Sequence, residues 1–153
     1  MRRLGIGELL SERDNIELVR GLLASFDANF EAMKRGEASP DLHLFDPDIE
    51  ISHVDGFPTT RRYVGRDHYA DWFTEGFADY TDVHWGEPEL VANGDVVVAI
   101  GQLSGRLEGT EPDEPRLSVE LALLHEIHDG LVTRIHVYLS PAAALSAAGI
   151  REG

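Results

Sequence analysis

A chain of 153 residues with 13 Lys and Arg against 28 Asp and Glu, a formal charge of −15, has the length of one domain with its own core and lacks the basic stripe that nucleic-acid binding needs. Its 42% hydrophobic and 27% charged residues exclude a disordered tail, and the absence of cysteine excludes disulfides, thiolate nucleophiles and thiolate metal sites. No stretch approaches the ~18 apolar residues of a membrane span. Glu8 and two glycines interrupt the apolar run that a leader following Arg2-Arg3 would need, so a cytoplasmic protein with no membrane or nucleic-acid partner is expected.

The first elements are helical. Ser11 and Asp14 stand at capping-box spacing, and Ile16, Val19, Leu22, Leu23, Phe26, Phe30 and Met33 recur every three or four residues. This spacing predicts one long amphipathic helix ending near Gly36. Pro40 reads as the start of a short helical turn with Leu42 and Phe45 inward, broken by Asp46-Pro47-Asp48. Ile49 to Asp55 alternates with period two and predicts a strand. Gly56 to Gly65 is a polar loop, and a second helix is expected from Arg66 to Asp79, with Tyr69, Trp72, Phe73, Phe77 and Tyr80 supplying its apolar face.

Strands make up the rest: 83–91, 96–107, 117–127 and 131–139. Asn93-Gly94 and Asp129-Gly130 lie between them as type I′ hairpin turns, and 108–116 forms a longer acidic loop. Ser140-Pro141 opens a last short helix stopped by Gly149. Helices first and an antiparallel meander second give a single α+β domain over 1–153, with a core of about 13–149 and looser ends.

Several segments carry a resemblance in this order: N-x-E-L-V-R at Asn15 to Arg20, F-D-P-D-I-E at Phe45 to Glu50, and Y-x-G-R at Tyr63 to Arg66. They continue with A-N-G-D-V-V-V at Ala92 to Val98, D-G-L-V-x-R-x-x-V-Y-L at Asp129 to Leu139, and A-L-S-A-A-G closing at Gly149. The chain resembles the SnoaL-like branch of the nuclear transport factor 2-like superfamily, which includes polyketide cyclases and is related to ketosteroid isomerases. The resemblance implies a cone-shaped α+β fold, with a curved and mostly antiparallel sheet packed on the N-terminal helices. It also implies a homodimer. The half-apolar outer sheet face, with Val98, Ile100, Gln102, Ala122 and Leu124, is the surface expected to form it, and Tyr138 is assigned to an interface.

Within such a cone, the period-two pattern sorts the residues. Ile49, Ile51, His53 and Asp55 share the inward side of the first strand. His53 stands where, by the resemblance, ketosteroid isomerases hold their general base; a histidine can take that part because its neutral ring accepts a proton near pH 7. Asp55 is the candidate to orient it. Leu117, Val119, Leu121, Leu123, His125 and Ile127 face inward on the strand over 117–127, so His125 is a third catalytic candidate and equally a buried structural histidine.

By the same resemblance, the oxyanion donors of a ketosteroid isomerase fall at Leu123 and near Leu22, so that reaction lacks its donors here. The inward rows hold no arginine and no second carboxylate for an epoxide hydrolase. Phe57, Tyr63, Trp72, Phe73, Trp85, Leu121, Leu123, Val137 and Leu139 are expected to wall an apolar pocket. The histidine spacing gives no metal site, and no cofactor is expected. The reading is a small-molecule enzyme using acid/base chemistry, cyclisation or isomerisation, on an apolar carbonyl compound. Its rivals are a non-catalytic ligand-binding domain and a structural dimer module with a filled cone.

Overall fold

Val19, Leu22, Leu23, Phe26, Phe30 and Met33, the helical stripe read from the sequence, are all buried in the computed structural model, which describes residues 6–39, 41–53 and 62–150. They occupy two helices rather than one. α1 (Ile6–Ala24) and α2 (Phe26–Lys34) are separated at Ser25, whose backbone (φ −90°, ψ 0°) bends the run. The bend brings Phe26 edge-on to Phe77 and Trp85, with ring centroids 6.0 and 6.3 Å apart, contacts preferred by the ring quadrupoles. Ser11 does not cap: α1 begins at Ile6 and Ser11 is exposed within it.

A 3-10 turn at Leu42–Leu44 leads into β1 (Phe45–His53). The expected break at Asp46-Pro47-Asp48 is instead an irregularity inside this strand, where the register with its neighbour shifts between Phe45 and Glu50. Proline has no N–H for the ladder, and the Asp46 carboxylate accepts from the Asp48 N–H at 2.8 Å. β2 (Arg62–Val64) and a 3-10 turn at Arg66–His68 precede α3 (Tyr69–Gly76), which is shorter than expected, so that Phe77 follows the helix and Tyr80 opens β3 (Tyr80–Trp85). The single strand expected over 83–91 is divided at Gly86-Glu87-Pro88 into β3 and β4 (Glu89–Asn93). β5 (Val96–Leu107), β6 (Leu117–His128), β7 (Leu131–Tyr138) and α4 (Pro141–Ala147) complete the chain.

The strands form one curled sheet in the order β2-β1-β7-β6-β5-β3, with β4 also on β5; β1 and β7 are parallel and every other pair is antiparallel. β5 serves two partners along one edge, pairing with β4 over 96–100 and with β3 over 103–107. At the changeover sits Gly101, where a Cβ would lie 2.8 Å from the Trp85 ring. The missing side chain lets the indole lie across β5.

Both hairpin turns form, but with different chemistry. Asp129 and Gly130 both have positive φ (52° and 77°), as type I′ requires. In the other, Asn93 pairs with Val96, so the central pair is Gly94-Asp95 rather than Asn93-Gly94, with only Gly94 at positive φ.

The alternation along the strands separates two cores. The inner one joins Phe45, Ile49, Ile51, Val97, Ala99, Leu121, Leu123, Ile127, Ile135 and Val137 to α1, α2 and α3. The outer one corrects an expectation: Val98, Ala122 and Leu124 are not a bare face, because Ala144, Leu145 and Ala148 from the α4 end of the chain bury them. Ile100 and Tyr138 pack at the margin of this patch, while Gln102 stays exposed.

α4 is held at both ends. The Ser140 hydroxyl accepts from the Ala143 N–H at 3.2 Å, and Pro141 occupies the first helical turn. At the other end the Ile150 N–H donates to the Leu145 carbonyl (2.8 Å) and the Gly149 N–H to Ser146 (3.0 Å), a Schellman closure with Gly149 at φ 74°. Ser140→Ala is expected to lower stability by about 1 kcal/mol, read from the urea midpoint, since it strands one helix donor.

Candidate functional site

The concave face of the sheet and the helices enclose a cavity of about 370 Å³. Its walls come from eight elements because the sheet curls. α2 gives Phe26; α3 gives Trp72, Glu75 and Gly76; β1 gives His53; β2 gives Tyr63; β3 gives Tyr80 and Trp85. β5 gives Leu103, β6 gives Val119, Leu121 and Leu123, β7 gives Val137, and Phe77 and Leu139 lie just beyond element ends.

The polar groups gather on one side. His53 is the last residue of β1, half-buried, and its Nε2 accepts from the Trp72 indole N–H at 3.2 Å. An indole can only donate, so this contact places the proton of the neutral imidazole on Nδ1. The His53 and Trp72 rings are 6.5 Å apart and tilted by 43°. The Tyr63 hydroxyl donates to the Glu75 carboxylate across the gap between β2 and α3. Among the described residues the remaining walls are aliphatic and aromatic, so they give the chamber one polar edge and an otherwise apolar interior.

Of the residues singled out from sequence, His53, Tyr63, Trp72, Trp85, Leu121, Leu123, Val137 and Leu139 all line this cavity. Asp55 and Phe57 lie outside the described residues, and Phe73 is described only as a position in α3. His125 does not join His53. It is absent from the cavity wall and is 2% exposed, and its Nδ1 meets the Val97 carbonyl at 3.3 Å. Burial pushes its pKa down to about 4, against the opposing effect of backbone hydrogen bonds with Val97 and Leu123.

Sequence reasoning missed Glu75, Phe26, Phe77, Tyr80, Leu103 and Val119 as wall residues. For Glu75 a signal was present: it lies three residues after Trp72, so both sit on one helix face. The others had been read as core or as strand interior, where periodicity cannot tell a packed side chain from one beside a void.

Outside the cavity, charged side chains form a ladder across the sheet. Arg62 pairs with Glu50, and Arg134 approaches Glu50 at 3.5 Å and Glu126 at 3.4 Å. The Arg62 guanidinium beside Glu50 holds its carboxyl below the usual carboxylate range. Among the described residues no three His, Asp or Glu side chains are grouped as a metal site, and no helix is long and apolar enough to cross a membrane.

The comparison with known families decides the affiliation. The SnoaL-like domain profile matches residues 26–135, more than two thirds of the chain. The chain belongs to the SnoaL-like domain family. No curated protein sequence matches this SnoaL-like domain. Solved structures share its fold at low sequence identity.

A protein with a ketosteroid isomerase-like fold from Catenulispora acidiphila, crystallised in complex with trimethylamine, aligns with a TM-score of 0.63 and 20% identity over 88% of this chain and 94% of its own. A phenazine biosynthesis-related protein from Pseudomonas aeruginosa aligns at 0.62 with 17% identity, over 96% and 92%. A candidate polyketide cyclase from Xanthomonas campestris aligns at 0.59 with 20% identity, over 90% and 98%. These likenesses establish the nuclear transport factor 2-like cone for this SnoaL-like domain, and the site residues must carry the chemistry.

Proposed function

We propose that this SnoaL-like domain is a cytoplasmic, cofactor-independent enzyme that moves a proton next to a carbonyl on an apolar small molecule, with His53 as general base. The observation that carries the reading is a single imidazole, held by the Trp72 N–H, on the polar edge of an otherwise apolar chamber of about 370 Å³. That volume suits a compact ring system. The P. aeruginosa and X. campestris relatives, named for phenazine biosynthesis and as a candidate cyclase, are consistent with such a substrate.

The hydrogen bond between Trp72 and His53 shapes the mechanism. In the resting site the indole N–H occupies the Nε2 lone pair, so a base at Nε2 requires that donor to leave. A bound carbonyl oxygen supplies the alternative acceptor. Trp72 turns its N–H to this oxygen, and the freed Nε2 takes a proton from the adjacent carbon. The C–H electron pair moves into the new C=C bond and the carbonyl π pair onto oxygen, where the indole stabilises the enolate. In a cyclisation the enolate carbon then attacks a second carbonyl, whose oxygen takes the proton back from the imidazolium as the first C=O re-forms. In an isomerisation of a conjugated substrate the imidazolium instead delivers that same proton to the far carbon of the dienolate. Asp55, read from the sequence as the residue that orients the ring, belongs to this proposal, while His125 has no part in it because it lies outside the cavity wall.

The test is exchange of the α-protons of a bicyclic aryl ketone in D2O, followed by NMR in the wild type and in His53→Ala. Trp72→Phe supplies a second reading. It is expected to slow exchange about 10²-fold through loss of the oxyanion donor. It should also release the fixed tautomer, so that ¹⁵N shifts of His53 move from an Nδ1-protonated ring toward a mixture.

The rival is a non-catalytic binding domain, favoured by the same contact, since the indole occupies the lone pair a base would use. Ligand binding without any His53-dependent exchange would decide for it. The homodimer is also part of the proposal, through the outer face of β2, β1, β7 and the adjoining end of β6, where the Arg62, Glu50, Arg134 and Glu126 ladder lies; sedimentation velocity checks it.

A further inference from the structure

A second chamber of about 130 Å³ opens beside the first, formed by β3, β5 and β6. Phe77, Tyr80, Leu103 and Val119 line both. The inner row of β6 runs from one to the other. Leu123 and Leu121 line only the main cavity, Val119 lines both, and Leu117 lines only the side chamber. Leu123 pairs with Val137, which pairs with His53, so this row begins beside the polar edge. It then runs for three two-residue steps, roughly 20 Å of strand, to Leu117. Val119 and Leu117 are 42% and 50% exposed, large apolar side chains left facing solvent at the far end of the row.

Charge does not account for this end of the site. Among the described residues, the side chamber is walled by Val83, Leu103, Leu117, Val119, two aromatic rings and the small residues Ser104, Gly105 and Ser118, without an ionisable group other than the Tyr80 phenol. Ser118 already donates to the Gln102 side chain at 2.9 Å. Its chemistry recognises hydrocarbon and little else.

We infer that the side chamber receives an unbranched alkyl or acyl tail of the molecule whose carbonyl-bearing ring lies against His53, so that the substrate is a ring system with a hydrocarbon tail lying along β6 and covering Val119 and Leu117. This rests on the proposed function, and the occupant is the ligand of the main cavity because the two chambers share walls along one strand row.

The experiment measures binding of a homologous series of phenyl alkyl ketones, from methyl to octyl, to the wild type and to Leu117→Trp, by quenching of the intrinsic tryptophan fluorescence and by calorimetry. Leu117 stands at an exposed rim outside the main cavity, so the larger ring fills the chamber while leaving the fold and His53 untouched. In the wild type each added methylene is expected to tighten binding about fourfold until the tail fills the chamber. In Leu117→Trp the short ketones should bind as before, and the gain should stop two or three carbons earlier. Val83→Phe, which fills the same chamber from its buried side, is expected to shorten the series likewise.

Equal chain-length dependence in all three proteins overturns the inference while leaving the main cavity as the binding site. A substitution that changes only self-association overturns it too, and assigns the exposed leucine to a contact between copies. If no ketone of any length binds, the proposed function falls together with it.

Discussion

Turnover of an enolisable aryl ketone is expected to fall by 10²- to 10⁴-fold, in the ~10³ range usual for loss of a general base, when His53 is replaced by alanine. The unfolding midpoint should change little, since His53 is only half-buried and ends a strand. Alanine also strands the Trp72 N–H, so a second variant is needed to separate the two effects. In His53→Gln the amide oxygen can accept from Trp72 but cannot take up a proton at neutral pH. It should keep the indole in place and remain as inactive as alanine. If glutamine restores more than a tenth of the wild-type rate, the histidine acts by holding Trp72 and not as a base. Exchange that persists at the wild-type rate in both variants would remove His53 as the base, and a wild type that binds the ketone without exchanging its protons would return the cavity to binding alone.

The second large effect concerns the other buried histidine. The wild type is expected to lose a few kcal/mol of stability, on the order of 2–3, between pH 7.5 and pH 4.5 through His125 alone. Its pKa is lowered to about 4 in the folded protein by burial, against an ordinary value of 6.5. Between those two values the unfolded chain binds a proton that the folded chain refuses. Stability from this group is therefore complete above pH 6.5 and is lost progressively as pH falls toward 4. His125→Leu keeps the volume and removes the titration, so in urea unfolding the stability difference between the two proteins should shift against the wild type by that amount on acidification. Carboxylates contribute equally to both and cancel in the difference. Parallel curves would mean that the ring is protonated or solvated in the fold, against its 2% exposure and its contact with the Val97 carbonyl.

The elements most legible in the sequence were those whose signal is local. The period-two rows of β1 and β6 fall on the inner core, and Asp129-Gly130 adopts the two positive φ angles that its composition asks for. Ser140-Pro141 and Gly149 bound α4 as read. Misreadings arose where tertiary contacts decide. Nothing in the stripe from Ile16 to Met33 marks Ser25 as a bend, because a bent helix and a straight one need the same spacing; Phe77 and Trp85, far along the chain, are what reward the bend. Gly86 and Pro88 do mark the corner between β3 and β4, but the apolar residues on both sides outweighed them.

The same contrast holds for the site. Face assignment placed His53, Trp72 and the leucines of β6 around one cavity, since a curled sheet must turn one row inward. The hydrogen bond from Trp72 to His53 was not readable, because it joins a helix to a strand end at a distance set by how the sheet curls. The covering of Val98, Ala122 and Leu124 was equally hidden: an alanine-rich segment after a proline can lie anywhere, and only the fold shows which strip it covers.

That cover has a consequence for biogenesis. Every strand of the sheet precedes α4 in the chain, and none needs α4 for its pairing, so until α4 docks the strip of Val98, Ala122 and Leu124 faces water. The helix acts as a late seal. Until it docks, two incompletely folded copies present matching apolar strips to each other, and the Ser140 cap and Schellman closure favour docking by holding so brief a helix together.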